Sequence, residues 1–328
     1  MITDMLWWCG FVAFVLAMLA LDLGVFHRKA HEVKTREALI WTGVWVFLAL
    51  AFNLGIYLGL IGSYSTVEVR HQAALEFFTA YLMEKSLSAD NVFVFALLLS
   101  YFAVRPIYQH KVLFWGIISA LMLRGAMIFA GIALLHAFHW VMYLFGAILI
   151  FGGVKICRNQ KVEVDPQKNL AVRLVRQIMP VAADDHQGRF FIRSKRTFMV
   201  TPLFIVLVLI EWSDLVFAID SIPAVLAVTD DPFIVFTSNV MAILGLRSLY
   251  FALGGIIQRF HLLQYGLAAI LVFIGIKMLA ADFYKVPTFA ALGAIATILV
   301  LSMIASLFWP PRHTGIETNR ARSSSRSR

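Results

Sequence analysis

Charge is scarce in this chain: of 328 residues only 14% are charged, against 61% hydrophobic. Soluble domains carry about 25% charged and about 45–50% apolar residues, so a soluble fold is excluded and a polytopic membrane protein is implied. Cysteine is scarcer still. Cys9 and Cys157 are the two present; they form no metal or redox motif, and the topology below puts them on opposite faces, out of reach of a disulfide. A redox enzyme would therefore lack a thiol pair or cofactor motif. The opening Met1-Ile2-Thr3-Asp4 lacks a basic leader segment and a small-residue cleavage site, so the first apolar run is expected to remain as a helix. The nine histidines fall mainly in links and span ends without ligand spacing, which leaves zinc chemistry unsupported.

What is present is length of apolar chain. Runs able to cross a ~30 Å hydrocarbon core fall at about 5–26, 38–60, 73–103, 111–136, 139–157, 199–228, 233–256, 262–280 and 287–309, giving nine expected spans in an all-α fold. The net charge of +9 does not point to nucleic acid, because the basic residues sit in links and the C-terminal tail, where they act as topology signals and touch lipid headgroups. Lys/Arg cluster after span one, after span three, in link 158–198, after span seven and in the tail, all on one side of an alternating chain. The opposite links are poor in them. The positive-inside rule then puts the N-terminus outside and the C-terminus in the cytoplasm.

Residues 111–155 and 234–277 read alike at an offset of about 123 residues: Leu123-Arg124 with Leu246-Arg247, Phe138-His139 with Phe260-His261, Gly153-Val154-Lys155 with Gly275-Ile276-Lys277. Upstream, Asp90-Asn91-Val92-Phe93 matches Asp214-Leu215-Val216-Phe217. Three spans is an odd number, so a second copy enters inverted, the arrangement of many transporters with a site at the repeat interface. The expected organisation is two accessory helices in 1–72, repeat one in 73–157, a cytoplasmic link in 158–198 with a short amphipathic helix near Leu170–Ile178, inverted repeat two in 199–280, a ninth helix in 281–310 and a disordered basic tail in 311–328.

Two stretches inside these spans, Glu84–Phe93 and Glu211–Pro223, carry five carboxylates: Glu84, Asp90, Glu211, Asp214 and Asp220. Each costs roughly 2.5–3.5 kcal/mol at the bilayer centre, roughly 12–18 kcal/mol together if unpaired. They need cations, protons or arginines. Pro223 removes a backbone donor and should free a carbonyl near Ile219, and unwound backbone at that depth must line a cavity or be buried in protein. With Ser88, Asn91, Ser213 and Ser221 in support, the donor set is all oxygen, suited to Mg²⁺, Ca²⁺ or Mn²⁺. Arg124 and Arg247, mid-span, are expected as counter-ions, with repeat register pairing Arg247 to Asp214. The structural alternative is that the acids only pair with Arg124, Arg247 and Lys85. Lys155 and Lys277 are expected to reach the headgroups, and Asp231-Pro232 to start a helix.

Segments Glu84–Phe95 and Glu211–Leu226, with the run from Thr229-Asp230-Asp231-Pro232 to Leu246-Arg247-Ser248-Leu249-Tyr250-Phe251, resemble the TerC/Alx family of bacterial inner-membrane proteins across about residues 5–310. The resemblance implies a nine-helix relative of the LysE-type transporters, with members linked to tellurite-resistance loci, alkaline response and manganese export. It places the family's acidic positions on the same five carboxylates. The expectation is a non-enzymatic divalent-cation exporter, for Mn²⁺, without a prosthetic group, exchanging protons. Its rival is a scaffold or assembly factor beside the secretion machinery, since some relatives are described in that role.

Overall fold

A computed structural model describes residues 2–24, 35–138, 140–158, 170–182, 188–194, 197–253, 262–284 and 286–308. The tail, the His139 and Phe260-His261 matches, and residues 159–169, 183–187 and 195–196 of the link lie outside these residues, as does the side chain of Asp90.

The protein is an all-α, multi-pass membrane protein. Its helices run α1 Ile2–Gly24, α2 Thr35–Leu58, α3 Val67–Tyr101, α4 Pro106–Ala137, α5 Val141–Arg158, α6 Leu170–Ile178, α7 Pro202–Leu226, α8 Pro232–Leu244, α9 Leu246–Leu253, α10 Leu263–Leu279 and α11 Thr288–Phe308. Among the described residues, α2, α4, α5, α7, the α8–α9 pair and α11 are long and apolar enough to cross a membrane, and α1 and α10 hold shorter apolar helices. The longest helix, α3, carries Glu84, Lys85 and Asp90 along its length. Large apolar side chains such as Met122, Phe151 and Leu307 point outward, as lipid contact requires.

Local chemistry sets the helix starts. Thr201 caps α7 with Pro202 at its first turn. Asp231 Oδ1 accepts from the Phe233 and Ile234 amides at 2.8 and 3.4 Å with Pro232 at the start of α8, as the Asp-Pro pair predicts. The structure departs from expectation at two interruptions. Helix α7 continues through Pro223, so the unwinding predicted there is not present. Span seven is instead interrupted at Gly245, between α8 and α9, where an added Cβ would lie 2.7 Å from Lys85 Nζ.

The two matched halves interleave. Helix α4 packs on α7, α3 on α8, and α5 along α10. In the last pair a Cβ at Gly146 would lie 3.0 Å from the Gly275 carbonyl oxygen, and one at Gly275 2.7 Å from that of Gly146; a Cβ at Gly153 would lie 2.7 Å from the Ala268 carbonyl. Glycine lets these backbones touch.

Amphipathic α6 forms where the sequence places it, at Leu170–Ile178. The sequence does not foretell the antiparallel hairpin beside it, β1 Phe191–Ser194 and β2 Thr197–Val200. Val172, Val175, Met179 and Phe190 pack on the core formed by Val112, Leu113 and Val206. Lys111 Nζ donates to the Gly188 carbonyl at 2.8 Å, a turn that needs glycine at φ +78°.

Candidate functional site: a buried arginine between two carboxylates

Arg124 on α4 lies at the centre of the bundle, 2% exposed. Its Nε donates to Asp214 Oδ2 at 3.0 Å and its Nη2 to Asp214 Oδ1 at 2.8 Å, a bidentate pair across α4 and α7. Its Nη1 donates to Glu84 Oε1 on α3 and lies 3.5 Å from Ser221 Oγ. The Asn91 amide is oriented with its oxygen accepting from Arg124 Nη2 at 3.2 Å and its nitrogen donating to the Leu87 carbonyl at 3.3 Å. Glu84 is 0% and Asp214 2% exposed. Two carboxylates thus share one guanidinium away from water. Repulsion between them makes Arg124 indispensable in this arrangement.

Among the buried oxygens without a hydrogen-bond partner are Glu84 Oε2, on the carboxylate that Arg124 holds, Ser88 Oγ one turn further along α3, and Glu211 Oε1 three residues before Asp214 on α7. Glu211 and Asp214 line a void of about 10 Å³ with Arg247, Ala120 and Phe95 among its other walls, at the lower limit of what one water can fill.

The five expected acids therefore do not form one cluster. Glu84 and Asp214 share Arg124, Glu211 borders the adjoining void, and Asp220 packs against Gly152 of α5, whose Cβ position is 3.0 Å from Asp220 Oδ1. The side chain of Asp90 is outside the described residues, and so is any part it plays. Ser213 Oγ donates to its own helix, to the Leu209 carbonyl at 2.8 Å. Among the described residues no three carboxylate, histidine or cysteine side chains form a ready metal-holding group.

The register-based pairing of Asp214 with Arg247 is corrected. Helix α4 lies along α7 and brings Arg124 level with Asp214, whereas Arg247 follows the interruption at Gly245 and meets His110 Nε2 at 2.8 Å. Guanidinium is donor only, so His110 Nε2 accepts and the ring carries its proton on Nδ1. Sequence reading passed over His110 as a link residue. It also assigned Lys277 to the headgroups, but Lys277 Nζ donates to the Ala227 carbonyl at 3.0 Å, at the C-terminal end of α7 where a cation is favoured. Lys85 Nζ reaches the Ala242 carbonyl at 3.3 Å near the end of α8. Cys9 and Cys157 are free and exposed.

On the side of the bundle where α7 ends, a cavity of about 330 Å³ is lined by His136, Met142, Thr229, Asp230 and Lys277 among others.

An apolar helical bundle with an ion-pair network at its centre defines an integral membrane protein whose charges are kept for a purpose other than solubility. The chain belongs to the TerC family of integral membrane proteins, whose family model matches residues 69–314. It is 50% identical over 300 residues to "Uncharacterized membrane protein STKORF319" of Myxococcus xanthus, covering 92% of this chain and 91% of that one. It is 45% identical over 307 residues to "Putative membrane-bound redox modulator Alx" of Escherichia coli K12, covering 93% and 95%. A Rickettsia bellii membrane protein is 39% identical over 300 residues, covering 92% and 96%. No solved structure matches the chain.

Proposed function

We propose that this chain exports a divalent cation, Mn²⁺, through a site between two inverted three-helix repeats. It would lie in a bacterial inner membrane with nine crossings, its N-terminus outside and its C-terminus in the cytoplasm. The observation that carries the reading is that Glu84 Oε2, Ser88 Oγ and Glu211 Oε1 are buried without hydrogen-bond partners on the two helices, α3 and α7, whose carboxylates Arg124 holds. An unsatisfied buried polar atom costs about 1–3 kcal/mol, and a hard cation is the partner that three oxygens suit.

The repeat interface finds support in the α5–α10 contacts. Exchanging matched positions, Gly153 for Gly275 and Gly146 for Ala268, turns the Gly146–Gly275 contact into the Gly153–Ala268 contact. That is what a pseudo-two-fold axis between α5 and α10 produces. Cation binding and the hold of Arg124 on Glu84 and Asp214 then exclude each other, so the arginine acts as a tethered competitor. Carboxylates ligate metal only when ionised, which couples release to protons.

Mn²⁺ binding to the purified protein tests this reading through thermal stability. A ligand at 100-fold its Kd stabilises by about 2.7 kcal/mol, so Mn²⁺ should raise the melting temperature of the native protein and not that of Glu84→Gln or Glu211→Gln. A native protein indifferent to Mn²⁺ would refute the site and favour the scaffold.

A further inference from the structure

We propose that α6 and the β1–β2 hairpin form a membrane-surface anchor that recognises anionic phospholipid headgroups. One stripe of α6, Val172 and Val175, with Met179 just past its end, is used up in packing on the bundle. Leu174 and Ile178, one turn apart, remain 48% and 72% exposed. At 100° per residue they extend the packed stripe sideways, so the apolar sector of this helix is wider than the protein covers. Arg173 and Arg176 are exposed on the remaining sector.

The hairpin repeats the pattern. Its register sets Arg193 opposite Phe198 and Phe191 opposite Val200, which places Phe191, Arg193 and Phe198 on one face. Phe191 and Phe198 are exposed but stack on each other at 5.6 Å, and Phe191 lies 4.7 Å from Phe204 in the first turn of α7. The exposed aromatic face therefore continues the lateral surface of a spanning helix at the level where that helix leaves the membrane. Lys111, held on Gly188 in the first turns of α4, fixes the unit to the same end of the bundle.

An exposed apolar strip on α6, and an aromatic hairpin face that carries Arg193, lie beside the ends of spanning helices, the placement of an interfacial unit. Its occupant is the bilayer surface itself. Guanidinium groups pair with phosphate bidentately, and anionic lipid adds attraction that falls within a Debye length of the surface. This inference is independent of the cation site, which lies elsewhere in the bundle.

A single-cysteine form tests it: Ile178→Cys in a background carrying Cys9→Ser and Cys157→Ser, labelled with a polarity-sensitive fluorophore. The protein is reconstituted in phosphatidylcholine vesicles with and without phosphatidylglycerol. The expected result is quenching by doxyl-labelled lipid, at least twofold stronger with phosphatidylglycerol present, and protection from aqueous iodide. Combined Arg173→Gln, Arg176→Gln and Arg193→Gln should abolish the phosphatidylglycerol effect. Phe198→Cys, labelled in the same way, should behave alike. Iodide quenching without lipid quenching would overturn the proposal and assign the face to a protein partner. Lipid quenching indifferent to phosphatidylglycerol and to the three arginines would also overturn it, leaving acyl-chain contact without headgroup recognition.

Discussion

Arg124 on α4 holds Asp214 on α7 through two nearly parallel hydrogen bonds, 3.0 Å from Nε and 2.8 Å from Nη2. This contact joins the halves of the chain that match in sequence, and it decides which substitutions should be coupled. Removing one member of a buried pair costs roughly 3–5 kcal/mol, because the other charge stays buried without a partner. Arg124→Ala should lower thermal stability by about that much, and Glu84→Gln with Asp214→Asn should restore much of it. Arg247→Ala, which removes no hydrogen bond to Asp214, should couple to Asp214→Asn more weakly than Arg124→Ala does. A double-mutant cycle on melting temperatures reads both; strong coupling of Asp214 to Arg247 and none to Arg124 would contradict the pairing.

The acids were legible in the sequence because a carboxylate in an apolar span is expensive wherever it points. Which cation answers each of them was not legible. Repeat register aligns equivalent residues within each half, whereas the observed pair crosses between halves through the packing of α4 on α7. Amphipathic α6 could be read from its periodicity, and the α8 start from Asp231-Pro232. The hairpin could not, since two strands of four residues in a charged link give too short an alternation to separate from loop. The Gly245 interruption escaped notice because Pro223 offered the stronger breaker signal, yet α7 holds its helix through that proline. Packing overrode propensity there.

The α5–α10 contact should be intolerant of side chains. A Cβ at Gly275 meets the Gly146 carbonyl at 2.7 Å, while one at Gly293 meets nothing within 4 Å. Overpacking costs about 1–3 kcal/mol. Gly275→Ala should therefore lower the melting temperature and Gly293→Ala should not, as followed by thermal denaturation in detergent.

Tyr64, in the link between α2 and α3, lies 3.4 Å from Asp231 Oδ2. Burial, and then the Asp231 charge, push its hydroxyl well above the ordinary tyrosine range. A group whose pKa is raised on folding contributes stability that is whole below its unfolded pKa of about 10 and lost as pH rises above it. Tyr64→Phe should flatten the alkaline fall in melting temperature above about pH 10 and leave the neutral range little changed. An unaltered alkaline fall would show that Tyr64 does not contribute to it.

Topology offers a further check. Cysteines placed at Ser63 and Ser194, in a background without Cys9 and Cys157, should label from opposite sides of the membrane with an impermeant maleimide. Labelling of both from one side would contradict the proposed inverted arrangement of the halves.

Cation export itself is read most directly by Mn²⁺ flux in proteoliposomes, with and without an imposed pH gradient. The native protein should carry Mn²⁺ across the bilayer faster when protons are supplied in the opposite direction. Asp214→Asn and Glu84→Gln, inserted at normal levels, should reduce that flux to the rate of empty liposomes. Flux in neither condition, or flux unchanged by both substitutions, would contradict a carrier built on these carboxylates.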